Sequence, residues 1–204
     1  MKKRLTEKHL RRFYRLLSVR MVDFDCGRLC APENKGIPYC CDSELVAPIL
    51  YREELAWHRK NGKYWGKMPV KNSTDRKMVK ELCSYNVYAE CPGPQGCVRS
   101  KRSLVCMAFP FEPHLDRDGK VLGLVFIEDG SDDCPLVRKP LRIYNPLYIT
   151  NAIQFWQELI ELVHDEKELY ASESRKRERR AKRRGEGVRI ITVNKGVKSY
   201  RLKV

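Results

Sequence analysis

The 204-residue chain carries 41 Lys and Arg against 26 Asp and Glu, a formal net charge of +15, with 42% hydrophobic residues and nine cysteines. That apolar content supplies one modest core rather than two, so one folded unit with appendages is expected. No run approaches the roughly eighteen apolar residues of a spanning helix, and Arg11, Arg12 and Arg15 interrupt any apolar stretch of a signal peptide near the basic start. A cytoplasmic, reducing setting with no membrane span is the expectation. There, nine cysteines, about twice average usage, point to metal or redox chemistry rather than to a disulfide framework.

The charge is uneven. Residues 1–20 carry +7 and residues 171–204 carry +10, leaving about −2 on the body between them. Basic ends and cysteine-bearing middle can therefore be read separately.

In chain order, Thr6 opens a segment with Leu10, Phe13, Leu16 and Leu17 at helical spacing, an amphipathic basic helix within residues 1–20. From Asp25 to Asp42, Gly, Pro and four cysteines replace periodicity, which predicts an irregular loop. Ser43 is placed to cap a helix running to about Lys60, delayed by Pro48 and ended by Asn61-Gly62, and a shorter helix capped by Ser73 or Thr74 leads to Cys83. Residues 84–102 carry Cys91-Pro92-Gly93-Pro94 and Gly96-Cys97, turn chemistry that predicts a second thiol-bearing loop. Val121–Ile127 reads as a strand, paired with residues near Cys106–Phe111 across Asp116–Gly119. Asn151–Tyr170 sets Ile153, Trp156, Leu159, Ile160, Val163 and Leu169 on one side of a long helix that runs on into the basic stretch ending at Arg184. The alternating segments around Asn194-Lys195-Gly196 predict a terminal hairpin.

The expected fold is α+β: a small, irregular, metal-centred domain with several helices, a short β-hairpin, and a basic C-terminal helix plus hairpin. Its expected division is a basic N-terminal helix (1–20), a cysteine-cluster metal-binding domain (21–170), a basic helix or linker (171–187) and a β-hairpin (188–204).

Cys26, Cys30, Cys40 and Cys41 place four thiols within sixteen residues. Thiolates repel one another unless a cation compensates, so the density favours a metal in a reducing cell. The spacing is not the C-x2-C of a zinc ribbon, and the adjacent Cys40-Cys41 pair does not readily serve one ion. Cys83, Cys91, Cys97, Cys106 and Cys134 are spread so widely that only the fold can bring them together, and the Cys-Pro pairs at Cys91 and Cys134 hint at iron–sulfur chemistry.

The opening cluster, Leu82-Cys83, Cys97, the run Arg102-Ser103-Leu104-Val105-Cys106-Met107-Ala108-Phe109-Pro110-Phe111, and Cys134-Pro135 together resemble the YkgJ-type cysteine-cluster family, a zinc- or iron-chelating domain. That family has a CxxCxxCC-like opening, later cysteines and an RPxxCRxFPF segment. The likeness covers about residues 22–140 and departs from the pattern in its stretched opening, at Ser103 and at Met107. It implies eight metal-ligand positions, Cys26, Cys30, Cys40, Cys41, Cys83, Cys97, Cys106 and Cys134, with Cys91 as the extra thiol. The cofactor implied is Zn2+ or an iron–sulfur cluster such as 4Fe-4S. Relatives resembling flagellin lysine N-methylases or iron–sulfur oxidoreductases leave an iron-dependent oxidoreductase or modifying enzyme as one alternative, and metal delivery is another.

Of the four histidines only His114 lies near cysteines in sequence, as a candidate mixed ligand, and Asp129, Asp132 and Asp133 are candidates for a hard cation or a plain turn. No GxGxxG, Walker loop, HExxH or nucleophile elbow occurs. The basic run supplies Arg175, Lys176, Arg177, Arg179, Arg180, Lys182, Arg183 and Arg184 as candidate contacts to RNA or DNA, which the hairpin with Tyr200 would extend; an acidic protein would serve as well.

Overall fold

The computed structural model describes residues 4–42, 46–62, 64–128 and 133–204. Ser43 as a helix cap, and Asp129 and Asp132 as cation ligands, lie outside the described residues. The fold is α+β, with two antiparallel sheets, and its contacts divide it into two compact units. Leu5–Tyr14 and Asp25–Met107 make up one; the other includes Arg15–Phe24 and Ala108–Val204.

Helix α1 (Glu7–Leu17), of which Glu7–Tyr14 belongs to the cysteine-bearing unit, buries Leu10 and Phe13 as the amphipathic pattern predicts, and its first turn is tied by His9 N donating to Thr6 Oγ1 (3.4 Å). The loop that follows holds a single turn of helix, α2 (Gly27–Cys30), and 3-10 turns at Ala31–Glu33 and Tyr39–Cys41. Strand β1 (Ile49–Tyr51) comes next, and α3 (Arg52–Lys60) starts only at Arg52. The apolar Ile49-Leu50-Tyr51 run is used as a strand because Leu50 and Tyr51 are buried there, which shortens the expected 43–60 helix. Strand β2 (Gly66–Lys67) precedes α4 (Ser73–Glu81), whose cap is Asn72, one residue before the expected Ser73. Asn72 Oδ1 accepts from Asp75 N (2.9 Å) while Asp75 Oδ2 accepts from Asn72 N (3.2 Å), a reciprocal capping box. Strand β3 (Asn86–Glu90) lies inside the segment expected to be all loop, pairs with both β1 and β2, and is followed by α5 (Leu104–Ala108). Leu50, Leu55, Trp65, Val87 and Ala89 form the apolar cluster here, with Cys91 and Cys106 packed against it.

In the second unit, strands β4 (Phe111–Leu115), β5 (Val121–Phe126), β6 (Val188–Val193) and β7 (Val197–Leu202) form one antiparallel sheet in that order. The partner of β5 is thus displaced from the expected Cys106–Phe111, whose first half, Cys106–Ala108, is helical. β4 tolerates Pro113 because it is an edge strand. Alternation along β4 turns Phe111 to one face of the sheet, where it meets Tyr144 and Tyr148, and Glu112 and His114 to the other, where they meet α7 (His164–Arg183). Helix α6 (Pro146–Leu162) carries Tyr148 and starts at Asn145, whose Oδ1 accepts from Leu147 N (2.9 Å). The hairpin β6–β7 forms as expected and extends the sheet through Leu124 and Ile191. A Cβ on Gly123 would stand 2.6 Å from the Ile191 carbonyl oxygen, so this junction needs glycine.

The expected continuous helix from Asn151 into the basic run is broken. Val163 is extended (φ −115°, ψ 97°) and fully buried, Asp165 and Glu166 occupy the first turn of α7, and Trp156 meets Tyr170 edge-on at 4.8 Å. Burying Val163 and Trp156 together bends the chain back on itself, which leaves Leu169 exposed instead of on the apolar side.

Candidate metal centre

Two glycines draw the thiol-bearing loops tight. A Cβ on Gly27 would lie 2.9 Å from Pro38 Cγ, so the Cys26–Cys30 turn packs on the segment leading to Cys40 and Cys41. Lys35 (φ 52°) and Gly36 (φ 82°) reverse the chain between them, and Asn34 Nδ2 donates to Ile37 O (3.1 Å) and Asp42 Oδ2 (2.9 Å). In the second loop a Cβ on Gly96 would come within 2.8 Å of Pro92 Cβ. Tyr64 staples that loop: its hydroxyl donates to Gly96 O (3.1 Å) and accepts from Val98 N (2.8 Å).

No disulfide joins any of the nine cysteines. Cys40 Sγ and Cys41 Sγ stand 4.0 Å apart in one 3-10 turn, despite their adjacency in sequence. Two thiolates on a tetrahedral zinc would be roughly 3.8 Å apart given a Zn–S length of about 2.3 Å, so this pair suits two positions of such a sphere. Arg102 Nε donates to Cys97 Sγ (3.2 Å), and the same guanidinium interacts with Cys26, Cys40 and Cys41. The Cys41 thiol is lowered to about 7, first by the hydrogen bond from Cys40 and then by Arg102; Cys40 is raised, chiefly because it donates to Cys41. Burial pushes Cys106 up to about 11, and the charges of Cys41, Glu54 and Cys91 act in the same direction.

Seven thiols, Cys26, Cys30, Cys40, Cys41, Cys91, Cys97 and Cys106, are thus linked through one electrostatic neighbourhood, with Arg102 as its cation. Among the described residues no three His, Cys, Asp or Glu side chains converge into a closed coordination sphere. Cys83 is half-buried beyond α4. Cys134 belongs to the other unit, at the start of the 3-10 turn Pro135–Arg138, while Cys91, set aside in the eight-position pattern, belongs to the cysteine-bearing unit. His114 is also in the second unit. It is buried, with Nδ1 3.3 Å from an Arg177 nitrogen and Nε2 3.3 Å from Glu178 Oε1, off-line for a hydrogen bond. Asp133 is exposed.

A second cluster had no sequence signal. Tyr14 OH lies 2.7 Å from Glu54 Oε1, 2.6 Å from His58 Nε2 and 3.0 Å from Arg102 O. One hydroxyl proton cannot serve three acceptors, so His58 Nε2–H or a protonated Glu54 supplies another. Glu54 is completely buried and also accepts from Leu104 N (2.8 Å) and Tyr51 N (3.1 Å). Burial raises its carboxyl to about 7, and burial followed by the Lys101 charge lowers His58 to about 4. Residues 14, 54, 58 and 102 are too far apart in sequence for any local pattern to have joined them.

The basic run also divides. Arg177 is buried and pairs with Glu112, and Arg180 pairs with Glu128, so these two are committed to the sheet. Lys176 pairs with Glu173 at 2.6 Å. Arg175, Arg179, Lys182, Arg183 and Arg184 are exposed.

Fold and site together define an α+β protein with a thiol-rich unit and a second unit whose helix-covered sheet carries the basic surface. No helix among the described residues is long and apolar enough to cross a membrane. Comparison with family models, curated proteins and solved structures found no match to this chain.

Proposed function

We propose that the cysteine-bearing unit binds Zn2+ or an iron–sulfur cluster through its thiolates, and that the basic surface of the second unit docks the protein on a polyanion. The observation that carries the metal half is the gathering of four thiols, Cys26, Cys40, Cys41 and Cys97, from two glycine-tightened loops around Arg102, with Cys30, Cys91 and Cys106 linked to them. Cys40 and Cys41, with Cys26 and Cys97, are the first candidates for ligands, and their donor chemistry suits a soft or borderline metal. When bound, the metal would neutralise thiolate charge and cross-link the two loops. Arg102 would balance thiolate charge left over, Tyr64 would hold the Cys97 loop in place, and the apolar cluster under Cys91 and Cys106 would keep water from one side.

The test is elemental analysis with a visible spectrum on protein purified without oxygen. Iron with sulfide and a broad band near roughly 400 nm would assign a cluster; stoichiometric zinc without colour would assign a thiolate zinc site. Cys26→Ser, Cys41→Ser and Cys97→Ser are expected to lose metal. Protein that holds neither metal sinks the proposal.

A further inference from the structure

Helix α7 separates its cations by face. Arg177 and Arg180 turn toward carboxylates of the sheet unit, and Ala181 packs on the cluster of Val125, Val188 and Ile190. The opposite stripe, Arg175, Arg179, Lys182 and Arg183 with Arg184 at the end, has no carboxylate within ion-pair distance among the described residues. Spacings of three and four residues set these like charges beside one another, at a cost to the helix of about 0.2–0.5 kcal/mol per pair. A favourable dipole accounts for cations in the last turn, but not for Arg175 and Arg179 further back.

The sheet edge beside this helix repeats the pattern. β7 pairs with β6 on one side only, and Lys198, Ser199, Tyr200 and Arg201 are all exposed on it. Arg201 is the direct cross-strand partner of Arg189, a like-charge pairing that weakens a hairpin, and the Arg189 guanidinium is drawn to Ser199 Oγ (3.1 Å) rather than to an acid. Discouraging strand-on-strand association explains lysine on an edge. It does not explain an aromatic ring 42% exposed on the same face as Lys198. Tyr200 lies opposite Ile190 and two positions from Leu202, on the sheet face that packs against Ala181 of α7, so the ring and the helical stripe share one side of the unit.

We infer that this side is a binding surface for single-stranded nucleic acid, with the α7 stripe tracking phosphates and Tyr200 stacking on a base. The inference specifies the polyanion of the reading above, and it does not depend on the metal. Cations alone would suit a duplex, an acidic protein or an anionic membrane equally; the exposed ring among them selects a strand whose base faces are open.

The test uses the full chain as purified and labelled U20, dT20 and a 20-base-pair duplex, titrated by fluorescence anisotropy between 50 and 200 mM KCl. Single strands are expected to bind more tightly than duplex. With about five phosphates neutralised, affinity should fall about a hundredfold over that salt range. Tyr200→Ala should weaken single-strand binding about 5- to 150-fold and leave the salt slope unchanged, whereas Arg179→Ala with Arg183→Ala should reduce the slope by about 1.4. U20 bound more tightly than dT20 would assign RNA, the reverse DNA. Binding of duplex as tight as of single strands with no effect of Tyr200→Ala, capture of polyglutamate or anionic vesicles in place of oligonucleotides, or no binding at 50 mM would each overturn the inference. Metal content measured on the same samples keeps the two proposals apart, since oligonucleotide binding by protein that holds no metal would sink the metal centre alone.

Discussion

Replacing Glu54 by glutamine should change how stability depends on pH, and the structure sets both the sign and the size. The Glu54 carboxyl, completely buried, is raised from 4.5 to about 7. A group raised on folding contributes stability that is fully present below the unfolded value and lost as pH rises through the folded one. For Glu54 that loss runs from pH 4.5 to about 7 and amounts to about 3 kcal/mol. His58, lowered to about 4, runs the other way: its contribution is present above pH 6.5 and lost as pH falls through about 4. The two slopes oppose one another between pH 4.5 and 6.5, so the parent protein should look nearly flat there. Glutamine keeps an oxygen for Leu104 N and Tyr14 but presents an amide NH2 to Tyr51 N, leaving that buried donor unpaired at a cost of about 1–3 kcal/mol. The variant is therefore expected to be less stable than the parent at pH 5 and as stable or more so at pH 8. Urea unfolding at half-unit pH steps, read by the fluorescence of Trp57 and Trp65, measures the difference. A difference that stays constant from pH 4.5 to 7.5 would refute the assignment of a buried, proton-binding Glu54.

Three further outcomes follow from named contacts. Arg177→Ala should destabilise the second unit by about 3–5 kcal/mol, because it strands Glu112 and removes the cation beside buried His114, while Arg179→Ala should be nearly neutral in the same thermal scan. Gly123→Ala should cost at least about 2 kcal/mol, since the added Cβ would meet the Ile191 carbonyl oxygen at 2.6 Å and Ile190 Cγ2 at 2.7 Å. In protein stripped of metal, alkylation of Cys41 by iodoacetamide should titrate near pH 7 and move upward in Cys40→Ala and, less far, in Arg102→Gln; an unshifted profile in both would show that neither neighbour lowers the thiol.

Much of the architecture is local and can be read from sequence. Leu10 and Phe13 define the buried face of α1 by spacing alone, Asn194-Lys195-Gly196 announces the β6–β7 hairpin, and the cysteine-dense loop lacks any periodicity that would make it a helix or strand. Other features depend on what arrives from elsewhere in the chain. Ile49-Leu50-Tyr51 is apolar enough for either helix or strand, and pairing with β3 decides the matter. The 3.6-residue pattern continues across Val163, so the sequence reads as one helix; the break forms because Val163, Trp156 and the sheet can all be buried only if the chain bends there. Arg175 and Arg177 are indistinguishable as letters in a basic run, yet Glu112, 65 residues away, draws one of them out of solvent. The same holds for the thiols. Their number and density are written in the sequence and argue for a cation among them, but which thiols share a neighbourhood depends on loops drawn tight where Gly27 and Gly96 leave no room for a Cβ. Cys91 precedes proline in a segment with no periodicity, and it is the long-range packing of β3 and α5 onto one apolar cluster, absent from any local pattern, that sets it beside Cys106.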